Sequence, residues 1–250
     1  MRRSLGALVA LLGLIVTSPL LLLAAIGIKL TSPGPVLYRA CRIARDRRRW
    51  GSDASASRGL TERRRPEYRG AEFTMYKFRT MHVRADASGG PITADADPRV
   101  FRFGALLRAT KIDELPQLFN VLRGDMALVG PRPEAPEIVR EFYTPIDRQT
   151  LQVPPGLTSP GALYYYTHGE QMLQGDAVVQ VYVDQLLPVK LAIDRVYIER
   201  ASVRYDLGVI ARTVRVILLR IMGAERLPVP PELAHVDIAV DARLGGMGNR

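Results

Sequence analysis

LGALVALLGLIVTSPLLLLAAIGI, residues Leu5 to Ile28, carries no charged side chain and consists mostly of Leu, Ile, Val and Ala. At a helical rise of about 1.5 Å per residue the stretch reaches roughly 36 Å, enough for a bilayer core of about 30 Å. A membrane helix is therefore expected here. Arg2 and Arg3 precede it as they would in a signal peptide, but Ala24-Ala25 run on into Ile26-Gly27-Ile28 and no polar mature start follows, so cleavage is not expected. Ser18-Pro19 lies inside the run, where proline lacks an N–H and crowds the preceding turn, which predicts a kink. Arg2 and Arg3 on one side face Lys29, Arg39, Arg42 and Arg45 on the other, so both flanks favour the cytoplasm. A bent helix that enters and leaves one leaflet satisfies both flanks; a kinked span satisfies one. These features leave both open.

Working outward, Thr31-Ser32-Pro33-Gly34-Pro35 is a turn-rich break, and Val36 to Ile43 reads as a strand. Residues 45–69, from Arg45 to Arg69, form a basic insertion, either a solvated loop or a contact for anionic headgroups. Glu72 to Met81 is the expected hairpin partner of the first strand. The remainder reads as helices over Val100–Leu107, Asp113–Leu122, Pro136–Tyr143, Glu170–Leu187 and Ser202–Met222. In the last, Ile210, Val214, Ile217, Leu218 and Ile221 share a face opposite Arg212, Arg215 and Arg220, which suits either the membrane interface or the domain's own core. From Gly223 the chain reads as a loosely ordered tail.

Hydrophobic content of 47% supports a folded core in one or two domains. The net charge of +10 favours a polyanionic surface or a phosphorylated substrate. Cys41 is the only cysteine, which excludes an internal disulfide and fits a reducing compartment. His82, His168 and His235 are scattered without other ligands at metal spacing, which argues against zinc but leaves open a hard cation on carboxylate and phosphate oxygens.

The chemistry concentrates in KIDELPQLFNVLRGD, Lys111 to Asp125. Pro116 is tolerated only in the first turn of a helix, so Asp113 and Glu114 fall at or just before its N-terminus, where the dipole is expected to keep Asp113 ionised. One carboxylate could attack phosphorus while its neighbour binds Mg2+; the plain alternative is an N-cap aspartate beside a first-turn glutamate. Arg108 lies just upstream, Arg132 is held between Pro131 and Pro133, and two-residue alternation puts Lys77 and Arg79 on one strand face. Fixed cations beside carboxylates suit phosphoryl transfer.

At these residues the chain resembles the bacterial sugar transferases, the monotopic polyprenyl-phosphate phosphoglycosyl transferases. The likeness covers the apolar segment broken at Ser18-Pro19, Gly34-Pro35-Val36, Tyr76 to Met81, Asp113 to Leu118, and Asn120 through Pro133. It implies a mostly α fold with a small β-hairpin, anchored by a re-entrant helix in the bacterial inner membrane with the catalytic domain on the cytoplasmic face. It further implies transfer of a sugar 1-phosphate from a UDP-sugar to polyprenyl phosphate with release of UMP, initiating glycan or exopolysaccharide assembly. Asp113 takes the nucleophile role, Glu114 the magnesium role, and Lys77, Arg79, Arg108 and Arg132 become substrate contacts.

The expected organisation is a membrane helix over 1–30, a catalytic domain over 31–205, an interfacial helix over 206–222 and a tail over 223–250. The chain departs from the family at Val153 to Thr158, where a basic residue usually precedes Pro-Gly, and at Ser159-Pro160, where a Gly-Trp pair usually follows the threonine. Tyr164-Tyr165-Tyr166 nearby is expected either to pack or to contact sugar or base. The competing reading is a membrane-tethered basic protein that binds anionic lipid or nucleic acid without catalysis. The insertion lacks the interleaved aromatics that stack nucleic-acid bases, and no nucleic-acid partner is expected.

Overall fold

In a computed structural model, residues 2–45, 71–83, 97–173, 177–224 and 226–236 are described. Residues 46–69 of the basic insertion and 237–250 of the tail lie outside them. Helix α1, Arg2–Thr31, keeps its helical hydrogen bonding on both sides of Pro19. Proline cannot donate to the carbonyl four residues back, that of Ile15. The Ser18 hydroxyl donates to it instead at 2.7 Å, so the serine compensates for the bond that its neighbour removes.

Ala10, Leu14, Leu21, Ala24 and Ile28 bury one stripe of α1, at the heptad-like spacing of a helix laid along a surface. Small residues permit the close approach: a Cβ on Gly13 would meet Leu118 at 3.2 Å, and one on Gly27 would meet the Phe103 ring at 2.4 Å. The opposite side, including Leu8, Leu12, Ile15, Val16, Leu22, Leu23 and Ile26, is exposed and apolar.

After α1 the expected hairpin forms, with β1 (Leu37–Ile43) antiparallel to β2 (Glu72–Phe78) and Leu37 opposite Phe78. Arg79 follows the strand and leaves its alternation. It is buried; its Nε donates to Pro35 O at 2.6 Å, Nη1 to Ser32 Oγ at 2.8 Å and Nη2 to Ser32 O at 2.7 Å. Its role is thus to fasten the C-terminal end of α1, and its expected place among the substrate contacts is corrected.

Helices α2 (Arg102–Ala109) and α3 (Gln117–Arg123) follow, the latter ended by Gly124 in the left-handed region, where glycine has no Cβ penalty. A short parallel pair not anticipated from the sequence joins β3 (Ala127–Val129) to β4 (Gly156–Thr158). The backbones approach so closely that a Cβ on Gly156 would lie 2.1 Å from Gly130 N. The departing Val153–Thr158 segment therefore has a structural task beside the Pro131-Arg132-Pro133 run.

Helix α4 (Pro136–Phe142) packs its Ile138 and Val139 into the largest buried cluster, with Ile43, Tyr143, Leu173, Tyr182, Leu186 and Leu191. Beyond it, α5 (Pro160–Tyr164) continues as a wider π turn over Tyr165–Gly169 into α6 (Glu170–Met172). The expected single helix over Glu170–Leu187 is instead α7 (Val178–Val181), a π turn over Tyr182–Leu186, and α8 (Leu187–Arg200). Pro188 sits in the first turn of α8, where its missing N–H is harmless, so it begins a helix rather than ending one.

Helix α9, Val203–Ile221, starts on a Ser202 cap that accepts from Tyr205 N. Its orientation splits the expected apolar face. Val209 and Val216 are buried, with Ile210 and Ile217 packed beside them, while Leu207, Val214, Leu218 and Ile221 are exposed. Arg212 turns inward to Glu232, whose oxygens lie at 2.9 and 2.7 Å, and Arg220 Nη1 donates to Tyr166 O at 2.9 Å. Glu232 belongs to a 3-10 turn, Pro231–His235, so this part of the expected loose tail is docked.

Replacing Arg79 by Met should destabilise the fold by about 2–4 kcal/mol, because three charge-assisted bonds are lost and Ser32 and Pro35 carbonyls are left without donors. Thermal unfolding of the purified protein checks this; an unchanged melting temperature would contradict the anchoring role.

Candidate active site

Asp113 and Glu114 occupy a single 3-10 turn, Ile112–Glu114, between α2 and α3. The turn is entered through Lys111 at φ 57°, the one non-glycine residue with positive φ among those described. A lysine in that region carries modest strain, of a kind that gathers at functional sites. Pro116 then caps α3, so the two carboxylates lie in the turn ahead of that helix, as the sequence predicts.

The two side chains have different surroundings. Glu114 accepts a fork of bonds from Arg132, Nη1 to Oε2 at 2.7 Å and Nη2 to Oε1 at 2.8 Å, and Lys111 Nζ stands 4.0 Å from Oε1. Burial alone would raise its pKa; Arg132 and then Lys111 outweigh that and hold it at about 2. Asp113 is only 6% exposed, and its Oδ1 has no hydrogen-bond partner. Burial first, and the charge of Glu114 second, raise it to about 6 against the pull of Lys111, Lys77 and Arg108. Desolvation beside a second carboxylate thus makes the charged form of Asp113 less favourable than that of an ordinary aspartate, while leaving it the main form above about pH 6.

Of the predicted cations, Lys77, Arg108 and Arg132 are brought to the carboxylates, and Arg79 is not. Lys77 is lowered to about 8, mainly by burial, with the charge of Arg108 adding to it and that of Asp113 opposing it. Lys111 was overlooked as a site residue. Its ammonium lies 4.0 Å from the centre of the Tyr166 ring, which also receives the Arg220 guanidinium at 4.3 Å. The Tyr166 hydroxyl donates to Ala109 O at 3.0 Å. The buried Tyr166 thus braces the turn that carries the carboxylates and packs as one of the two expected uses of the tyrosine run. Only the two-residue interval from Lys111 to Asp113 could have signalled Lys111 in the sequence.

No group of three or more His, Cys, Asp or Glu side chains converges on a metal position among the described residues. A hard cation commonly takes one or two carboxylates and completes its shell with substrate phosphate and water. Glu114 fits that donor set, provided Arg132 releases one of its oxygens.

A buried carboxylate with an unpartnered oxygen and several cations around it thus lies beside α1, whose outer face is exposed and apolar, a charge pattern suited to phosphate. The chain belongs to the bacterial sugar transferase family, which it matches over residues 1–51 and 54–220. It is 39% identical to a UDP-glucose:undecaprenyl-phosphate glucose-1-phosphate transferase of Caulobacter vibrioides, over 87% of this chain and 69% of the relative. It is 32% identical to a UDP-N-acetylgalactosamine-undecaprenyl-phosphate N-acetylgalactosaminephosphotransferase of Aeromonas hydrophila, over 87% of this chain and 43% of the relative. A putative undecaprenyl-phosphate N-acetylgalactosaminyl 1-phosphate transferase of Bacillus subtilis is 36% identical over 67% of this chain and 74% of the relative.

If Asp113 must be ionised and Lys77 charged, turnover should follow a bell in pH. Below about 6 Asp113 takes up a proton and the rate falls; above about 8 Lys77 loses its charge and the rate falls again. A rate profile from pH 5 to 9 checks both limbs, and Lys77→Arg should remove the alkaline one.

Proposed function

We propose that this protein transfers a sugar 1-phosphate from a UDP-sugar to undecaprenyl phosphate at the cytoplasmic face of the bacterial inner membrane. The observation that carries the proposal is Asp113: buried, with one oxygen unpartnered, beside a glutamate already neutralised by Arg132. Family membership and the names of the relatives supply the substrate class.

In the first step an Asp113 oxygen bonds the sugar-bearing phosphorus as the phosphorus–oxygen bond to UMP breaks, and UMP leaves. In the second, an oxygen of the polyprenyl phosphate bonds that phosphorus and the electron pair returns to the Asp113 carboxylate. Splitting the transfer lets a soluble donor and a membrane-bound acceptor use one site in turn. Lys77, Lys111 and Arg108 offset the negative charge of the phosphate oxygens, and Arg132 orients Glu114 until the donor arrives. Mg2+, held by Glu114 and the donor's phosphates, would supply further charge neutralisation when bound.

The membrane reading rests on α1 and α9. Arg3 of α1 lies against Gly124, Ala10 packs into the cluster of Leu118 and Val121, and Ile28 packs with Phe78 and Phe101. Both ends of α1 therefore meet the catalytic domain, which supports a helix that enters one leaflet by its exposed face and leaves both flanks on one side. The outward Leu207, Val214, Leu218 and Ile221 of α9 offer a second apolar surface.

Purified protein given a panel of UDP-sugars and undecaprenyl phosphate should release UMP with one or more donors, and Asp113→Asn should fold yet lose at least about 10³-fold in turnover. In a Cys41→Ser background, cysteines at Ser4 and Leu30 should react with an impermeant reagent from the same face of sealed vesicles. Labelling from opposite faces would contradict the one-sided arrangement.

A further inference from the structure

Gln117 closes the Asp-Glu-Leu-Pro-Gln run and has no part in the chemistry described so far. Its side chain is fully buried, at 0% exposure, and neither Nε2 nor Oε1 has a hydrogen-bond partner. A carboxamide taken out of water without replacement partners is unfavourable, and natural folds rarely keep one without a use for it. Asp113 Oδ1 is buried and unpartnered in the same way.

The backbone brings the two together. From Ile112 through Leu115 (φ −55°, ψ −34°) and Pro116 (φ −58°, ψ −18°) into α3 the chain stays right-handed helical. The bonds across it run from each N–H to the carbonyl three residues back, as in a 3-10 turn, and a helical side chain leans toward the turn N-terminal to its own Cα. Gln117 thus follows Asp113 by little more than one turn of the same backbone, and both side chains are buried. Asn120, one turn further on the same side, marks what this side faces: its Oδ1 accepts from Tyr76 N and its Nδ2 donates to Thr74 O, both on β2 next to Lys77. Three buried polar atoms without partners, one from Asp113 and two from Gln117, thus belong to residues four apart in one turn.

We propose that Gln117 is a positioning residue for Asp113: Nε2–H donates to Oδ1, after a side-chain rotation or through one buried water, so that Oδ2 is the oxygen presented to phosphorus. The inference rests on the reading of Asp113 as the nucleophile. In loading, Oδ2 bonds phosphorus as the bond to UMP breaks, and Oδ1 becomes the carbonyl oxygen of the acyl phosphate. In discharge, the acceptor oxygen bonds phosphorus, the Oδ2–phosphorus bond breaks and its electron pair returns to the carboxylate. The amide donor fixes the carboxylate plane in the first step and receives the returning charge in the second.

Gln117→Met and Gln117→Leu, made in the full chain and assayed with a UDP-sugar that the wild type turns over, test this. Both remove an orphaned amide, so the melting temperature should stay level or rise. Turnover should fall at least about tenfold while the KM for the UDP-sugar stays within about twofold. Turnover within about twofold of wild type would overturn the proposal. So would a loss of turnover accompanied by a lower melting temperature in both variants, which would make the amide structural. Absence of turnover in the wild type with every donor would instead sink the transferase reading on which the inference rests.

Discussion

Two carboxylates on consecutive residues cannot both be withdrawn from water unless cations hold them, and the bidentate pair between Arg132 and Glu114 meets most of that demand. Because Arg132 neutralises Glu114, the neighbouring Asp113 is left as the group that can change charge near neutral pH, held at about 6 while its partner is held at about 2. Environments that separate two acids in this way assign them different tasks. The rest of the site follows from that division. Lys111, Lys77 and Arg108 balance Asp113, and Pro131 and Pro133 keep Arg132 within reach of a turn eighteen residues earlier in the chain.

The same interaction explains why the short β3–β4 pair is needed. Arg132 can grip Glu114 only if the segment after β3 passes close to the α3 turn, and Gly130 against Gly156 lets that segment be pinned by Gly130 N to Thr158 O and Gly156 N to Pro131 O, each at 2.9 Å. Thr158 in turn meets Thr213 of α9, with their hydroxyls 2.8 Å apart. Together with Arg220 on Tyr166, this ties the helix with the outward apolar face to the segment that holds Arg132 and the turn that holds Asp113 and Glu114. The outward apolar face of α9 and the geometry at Asp113 are thus parts of one connected structure.

Local patterns were legible in the sequence where one element decides them. The apolar α1, the hairpin of β1 and β2, the turn carrying Asp113 and Glu114 ahead of α3, and the span of α9 all follow from periodicity, punctuation and Pro116. What was not legible depends on distant partners. Arg79 was assigned to the strand face of Lys77, but the strand stops at Phe78 and the open carbonyls of Ser32 and Pro35 claim the guanidinium. Arg212 and Arg220 were placed on an outer basic face, yet buried Glu232 and the Tyr166 carbonyl turn them inward. Nor does the pattern around Pro19 show that the Ser18 hydroxyl takes up the Ile15 carbonyl that the proline leaves open. No periodicity announces the π turns at Tyr165–Gly169 and Tyr182–Leu186, since each inserts a residue that packing, not pattern, accommodates.

The central claim is that Asp113 carries the phosphosugar between donor and acceptor. Its most direct test is to incubate the full chain with UDP-sugar in the absence of polyprenyl phosphate, quench in acid, and measure intact and peptide mass. The account predicts up to one phosphosugar per chain, confined to the peptide containing Asp113 and discharged when polyprenyl phosphate is added before quenching. An enzyme that completes transfer at the normal rate while no adduct forms at Asp113, and whose Asp113→Asn variant is equally active, would contradict it and point to direct attack by the acceptor.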